Sequence, residues 1–260
     1  HLMCQKILQA DTRGSRVFLC FLIIMMVSLG IFMTDLYTPS IPAISQYFHV
    51  RSSLAKMTLA FYLFGLTFPQ LFFGPLSDAI GRKKVIFPGL FIALVGSLVC
   101  MQANDIYWLN GGRFLQGLGI GAITASARAI TRDVFEQQEL ARVVAMMGFS
   151  VALAPALAPL VGATIAHHFG WRAVFVSMTL IILLCSVLVA VFLPESNLKR
   201  SASSFRYRVI LQNYAALFKM PLFVRNMLFS ACAFSIIMIY FTISPYLFEH
   251  TLQLSVTHYA

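Results

Sequence analysis

Acidic side chains are scarce in this sequence: nine in 260 residues, against nineteen lysines and arginines. Eight of the nine fall in loops or at the ends of apolar runs, and Asp35 alone continues such a run. The apolar part of the chain therefore holds no second carboxylate, no histidine and no paired nucleophile and base, and no enzyme activity is expected. No GxxxxGK[ST] phosphate-binding loop occurs, which removes coupling to ATP bound by this chain. Of five cysteines, Cys20, Cys100, Cys185 and Cys232 sit inside apolar runs and Cys4 in the N-terminal tail, with no metal-ligand or redox spacing. His167 and His168 have no further ligands nearby in sequence, so no metal site and no bound cofactor are expected. Charged residues make up only 11% of the chain and hydrophobic ones 59%, a balance that no fully solvated surface accommodates. The net charge of +10 does not point to nucleic acid, because the basic residues lie in short segments between apolar runs.

What is present is a series of apolar runs long enough to cross the ~30 Å hydrocarbon core of a bilayer, for which a helix needs about 20 residues. They are 17–34, 57–77, 85–104, 106–127 with only Arg113 inside it, 143–166, 173–194 and 226–248. Strands of a membrane barrel would give alternating segments about half as long, so the expectation is an all-α integral membrane protein. The first run follows Arg13 and Arg16 as a signal peptide would, but it is long for one and lacks a small-residue cleavage site; it reads as an uncleaved span. With the N-terminus cytoplasmic, fifteen of the nineteen lysines and arginines fall on the inner side and only Arg51, Lys56 and Arg172 outside, as the positive-inside rule requires. The longest polar interval, 195–225, separates six spans from the seventh. The expected organisation is a six-helix bundle over 1–194, a cytoplasmic linker over 195–225 and one further helix within 226–260.

Two charges lie inside the spans. At ~1.5 Å rise per residue, Asp35 stands about 27 Å beyond Val17, and Arg113 about 10 Å from the outer end of the fourth run, in the same leaflet. An ionised carboxylate in hydrocarbon costs on the order of 3 kcal/mol or more unless it meets water or a partner. Either both residues face a central cavity, where Asp35 exchanges a proton under the influence of the Arg113 cation, or they form a static ion pair that locks two helices. Phe61, Tyr62, Phe64, Phe68, Phe72 and Phe73 read as lipid or core packing, or as the lining of a cavity for planar compounds.

The segment GPLSDAIGRKK, Gly74 to Lys84, combines turn residues, an acid and three cations. Gly74 and Gly81 permit tight backbone geometry at each end, Asp78 can face a helix N-terminus, and Arg82, Lys83 and Lys84 hold the segment on the cytoplasmic side. It resembles, position by position, the signature loop between the second and third helices of the major facilitator superfamily. TDLYTPSIP at the end of the first span and RFLQGLGIG from Arg113 resemble motifs of the drug:proton antiporters in that family. GFSVALAPALAPLVGA in the fifth span is similar to their fifth-helix motif, with Ala154-Pro155 where the family often has Gly-Pro, a departure also seen among bicyclomycin-resistance-type transporters. GWRAVF, at the start of the sixth span, looks like the same family.

The resemblance implies a proton-coupled exporter of small amphipathic or cationic compounds in a bacterial inner membrane, multi-pass, working by alternating access. Asp35 would be the proton and substrate carboxylate, Arg113 the coupling cation, and Gln116 a polar cavity group, with Tyr37 of the first motif beside them. Gly74, Asp78, Gly81, Arg82 and Lys83 would form the gating loop, and Pro155, Pro159 and Gly162 the helix-packing motif. Proton-coupled uptake of a nutrient is an alternative within the family; a non-transporting fragment or membrane interaction module is another. Transporters of this superfamily join two six-helix bundles, so the expected partner beside protons, substrate and lipid is a C-terminal bundle of which only the first helix is represented. Without it, Asp78 is expected to find local partners such as Arg82, Arg142 or the amides near Gly81.

Overall fold

The computed structural model describes residues 13–193, 195–196 and 207–246, all helical apart from short connections. The N-terminal tail, much of the interval after Leu193 and the C-terminal end of the expected seventh span lie outside the described residues. Two compact units divide the chain, His1–Phe205 and Arg206–Ala260. The first contains α1 (Arg13–Tyr37), a 3₁₀ turn (Thr38–Ser40), α2 (Ile41–Tyr47), α3 (Ser52–Thr67), α4 (Gln70–Ile80), α5 (Arg82–Met101), α6 (Ile106–Val134), α7 (Gln137–Phe169) and α8 (Trp171–Phe192). The second contains α9 (Tyr207–Phe218) and α10 (Pro221–Tyr246). A helix thus occupies part of the interval read as linker, and the last helix starts five residues before the expected boundary.

Among the described residues, five helical segments are long and apolar enough to cross a membrane, or six if the bent pair in the second unit is one span. The fourth run is the one that does not qualify, and packing explains it. α6 is the central helix, set against α1, α3, α4 and α5, with Arg113, Gln116, Thr124, Ser126 and Thr131 all buried. A helix whose faces meet protein has no need of a lipid-compatible surface, so its glycines and polar groups lower its apolarity without exposing them to hydrocarbon.

Two glycine seams let α6 sit this close. Toward α5, a Cβ added at Gly119 would stand 2.8 Å from the Cα of Ala93, and one at Gly96 would stand 2.8 Å from the Cα of Gln116. Toward α3, a Cβ at Gly117 would stand 2.9 Å from the backbone nitrogen of Leu66. Backbone approach of this kind maximises dispersion contact where no hydrophobic effect drives helices together. Along α1, Gly162 of α7 plays the same part: an added Cβ would overlap the backbone of Leu36. Pro155 and Pro159 lie inside the same helix.

The second span differs from its expected form. It breaks at Phe68 and Pro69, between α3 and α4, and the chain stays helical through Ile80. Gly74 is therefore a helical residue with open space beside it, not a turn residue. Pro69 lacks the N–H that would continue the α3 ladder, which moves the break upstream of the glycine. Only Gly81 turns the chain, at φ +109°, where a side chain would be strained. At the opposite end, Gly170 adopts φ +82° and leads into Trp171 and Arg172. The Arg172 guanidinium lies 4.6 Å from the ring centre of Tyr47 and 4.3 Å from that of Trp171. It donates to the carbonyls of Met101 and Ala103, at 3.2 and 2.9 Å, so a cation closes the C-terminal end of α5.

Candidate functional site

Arg113 and Gln116 are one turn apart on α6 and so share a face. Both are fully buried. Nη1 of Arg113 donates to Oε1 of Gln116 at 2.6 Å, and Nε2 of Gln116 donates to the Ser97 hydroxyl of α5 at 2.7 Å. Ser97 in turn donates to the carbonyl of Ala93 at 3.0 Å. The orientation of the Gln116 amide follows from this chain, since its oxygen must accept from arginine and its nitrogen must donate.

The guanidinium itself is held between two phenol rings. Its carbon lies 4.2 Å from the ring centre of Tyr37 on α1 and 4.2 Å from that of Tyr62 on α3. Each face supplies the negative side of a ring quadrupole, worth about 2 kcal/mol or more for a desolvated cation. The rings are themselves fixed. Thr58 donates to the carbonyl of Ala55 at 2.6 Å, so its hydroxyl oxygen accepts from the Tyr37 hydroxyl beside it. The Tyr62 hydroxyl donates to the carbonyl of Gly30 at 2.9 Å, an oxygen that also accepts from Thr34 at 2.9 Å. Nε and Nη2 of Arg113 have no hydrogen-bond partner, and no carboxylate forms an ion pair with it among the described residues. A buried cation is thus stabilised by π faces and one amide in place of a counter-ion.

Asp35, in the last turn of α1, follows Thr34 directly. It is half-buried, and its Oδ2 is buried with no hydrogen-bond partner. The structure does not join Asp35 and Arg113 in an ion pair; Arg113 is fully buried and Asp35 half-buried. Tyr62 stacks on Arg113 and shares the Gly30 carbonyl with Thr34, the residue before Asp35. In sequence, Tyr62 belongs to the aromatics that read as packing or as a cavity lining, and nothing in its spacing distinguishes it from Phe61 or Phe64.

At the other end of the bundle, Arg82 is nearly buried and organises a second polar cluster. It pairs with Asp78, one turn back on the far side of Gly81, at 2.6 Å, the local partner expected from the sequence. Its Nε and Nη2 reach the two carboxylate oxygens of Asp133 on α6 at 2.9 and 3.3 Å, and Nη1 donates to the Ser77 hydroxyl. Glu195 accepts from the backbone N–H groups of Arg82 and Lys83 at 2.9 and 3.3 Å, placing a carboxylate on the positive end of α5. Lys83 extends over the Phe87 ring, 5.7 Å from its centre. Asp133 and Glu195 were not singled out from sequence. Arg132 beside Asp133 and Lys199 four residues after Glu195 are the cations that sequence proximity offers, and nothing in the spacing points to Arg82. Pro155 and Pro159 lie inside the helix that carries Gly162, and Gly162 packs on the backbone of Leu36, between Asp35 and Tyr37. No cluster of three metal-ligating side chains occurs among the described residues.

The model of the Major Facilitator Superfamily matches residues 18–260. Among curated relatives, the bicyclomycin resistance protein homolog of Haemophilus influenzae is 32% identical over 188 residues, covering 72% of this chain and 47% of that protein. Multidrug resistance protein D of Escherichia coli is 28% identical over 206 residues, covering 79% and 51%. Multidrug resistance protein MdtL of Salmonella paratyphi C is 31% identical over 188 residues, covering 72% and 47%. The chain spans about half the length of the curated relatives it matches. Among solved structures, the human organic anion transporter MFSD10 superposes with a TM-score of 0.56 at 20% identity, over 78% of this chain and 56% of that one. A peptide transporter crystallised with alafosfalin gives 0.57 at 16%, over 85% and 51%. At such identities the likeness is one of fold.

Proposed function

The chain belongs to the major facilitator superfamily, and from that premise we propose that it supplies the proton- and substrate-handling half of an efflux transporter for small amphipathic or cationic compounds. The observation that carries this reading is Asp35: the acid that continues the first apolar run of the sequence, half-buried, with a buried carboxylate oxygen that has no hydrogen-bond partner among the described residues. A carboxylate in that position binds either a proton or a cation, and exchange of one for the other is drug:proton antiport. Relatives named for bicyclomycin and multidrug resistance support export over uptake. Arg113 acts through Tyr62 in this account. Its charge is fixed within the cage, so protonation of Asp35 changes the field at Tyr62 and, through the Gly30 carbonyl, the seam between α1 and α3. Alternating access would then involve the Gly81 hinge and the Asp78–Arg82–Asp133 cluster at the cytoplasmic side, with the α7 motif at Pro155, Pro159 and Gly162 packing against α1. The bacterial relatives and the distribution of lysine and arginine support an inner-membrane setting with the N-terminus inside.

Export of tetraphenylphosphonium from membrane vesicles carrying the protein, driven by an imposed pH gradient, tests the proposal. Asp35→Asn should abolish it while leaving insertion unchanged; transport at the wild-type rate by that variant would refute it.

A further inference from the structure

The basic interval beyond Leu193 is not used by any step above. Between Ser196 and Phe248 the sequence contains no aspartate or glutamate, while 199–225 carries Lys199, Arg200, Arg206, Arg208, Lys219 and Arg225. Within that interval the structure forms α9. Leu211, Tyr214, Leu217 and Phe218 fall at helical spacing on one side of it, and Gln212, Ala216 and Lys219 on the other. Leu211 is 49% and Phe218 57% exposed; Lys219 and Arg225 are also exposed.

The axis changes direction between α9 and α10. The described parts of the two helices, Leu211–Phe218 and Pro221–Ile236, meet at 85°, at a break where Pro221 starts the second helix. α10 has 26 residues, which at ~1.5 Å per residue is about 39 Å, enough to cross the hydrocarbon core without α9. If α10 spans, a helix at nearly a right angle to it lies in the plane of the membrane surface. An amphipathic helix there buries its apolar stripe at the headgroup boundary and sets its cations among the phosphates.

We propose that α9 is a docking surface for anionic phospholipid, lying flat on the leaflet at the basic end of α10 with Leu211 and Phe218 toward the acyl chains and Lys219 and Arg225 at the headgroups. Charge decides between occupants. A protein partner or a second copy of this strongly basic chain would have to bring the acids that the interval lacks, whereas an anionic leaflet presents them continuously. The proposal does not depend on the transport activity.

The test uses the 260-residue chain in nanodiscs containing equal phosphatidylglycerol and phosphatidylcholine, with benzoylphenylalanine introduced at Phe218 or at Gln212. After irradiation, lipid adducts measured by mass spectrometry should be at least about threefold more abundant at 218 than at 212. At 218, phosphatidylglycerol adducts should exceed phosphatidylcholine adducts by a similar factor, and Lys219→Gln with Arg225→Gln should bring the two headgroups to parity. Both lipids compete within one disc, so the ratio is read from whatever protein has inserted. Equal lipid labelling at 212 and 218, crosslinks from 218 into protein in place of lipid, or no headgroup preference would each overturn the proposal.

Discussion

Replacing Arg113 separates two accounts of its stability that transport assays alone would merge. In Arg113→Lys the charge stays buried, but an ammonium cannot lie flat between the Tyr37 and Tyr62 rings, each 4.2 Å from the guanidinium carbon. Two stacked faces, each worth about 2 kcal/mol or more, are weakened. The charge-assisted bond to Gln116, now 2.6 Å, is worth a further 1.5–3 kcal/mol or so and must be remade from a different position. Allowing for partial recovery, the net loss is about 2–3 kcal/mol, roughly 4–12 °C in Tm at 2–4 °C per kcal/mol for a chain of this size. In Arg113→Met the same contacts go, but so does the desolvation cost of an ion without a counter-ion, which is several kcal/mol. Gln116 keeps its bond to Ser97 at 2.7 Å. The methionine variant should therefore unfold within about 4 °C of the wild type and above the lysine variant. Thermal unfolding in detergent, followed by the monodisperse fraction on size exclusion, gives the comparison. A lysine variant as stable as wild type with a methionine variant far below it would mean that the charge is balanced by an anion, and the cage account would be wrong.

Gly119→Val should disrupt α5–α6 packing, because a Cβ there stands 2.8 Å from the Cα of Ala93; a loss of about 3 kcal/mol or more would appear as a collapsed monodisperse yield, while Gly74→Ala, with nothing within 4 Å, should be close to neutral in the same measurement. Asp133→Asn leaves a nearly buried arginine without its bidentate partner and should cost about 3–5 kcal/mol. Asp78→Asn removes a partner whose side chain is 48% exposed and should cost no more than about 1 kcal/mol; the opposite order in thermal unfolding would overturn the view that Asp133 is the main support of Arg82. Glu195→Ala should destabilise the start of α5 by roughly 0.5–2 kcal/mol, seen as faster amide exchange at Arg82 and Lys83; unchanged exchange there would show that the cap is unimportant.

Much of this architecture was readable from the order of residues, for a physical reason. A span must be apolar over about 20 residues, so runs such as 85–104 and 173–194 declare themselves, and a charge within one, as at Asp35 or Arg113, stands out as costly. The spacing of Arg113 and Gln116 likewise puts them on one face without any structure. The partners from other helices were not readable. Tyr62 differs from its aromatic neighbours only because α3 lies against α6 along the Gly65–Gly117 seam, and periodicity specifies a face without saying which helix meets it. Asp133 and Glu195 were invisible for the same reason, since their partner Arg82 is brought to them by tertiary packing. In the second span backbone signals compete: Gly74 and Gly81 both read as turn residues, but Pro69 interrupts the ladder first and, of the two glycines, only Gly81 takes the positive φ. α6 reads as a span from its lack of charge, and its glycines and buried polar groups fit a helix enclosed by the bundle.

The central claim, that Asp35 exchanges a proton for a cationic substrate, is tested most directly by measuring proton release when tetraphenylphosphonium is added to the detergent-solubilised protein in weakly buffered solution. Release should saturate with substrate, in proportion to the cation bound, and be absent from Asp35→Asn. Substrate binding with no release from the wild type, or the same release from the asparagine variant, would contradict it.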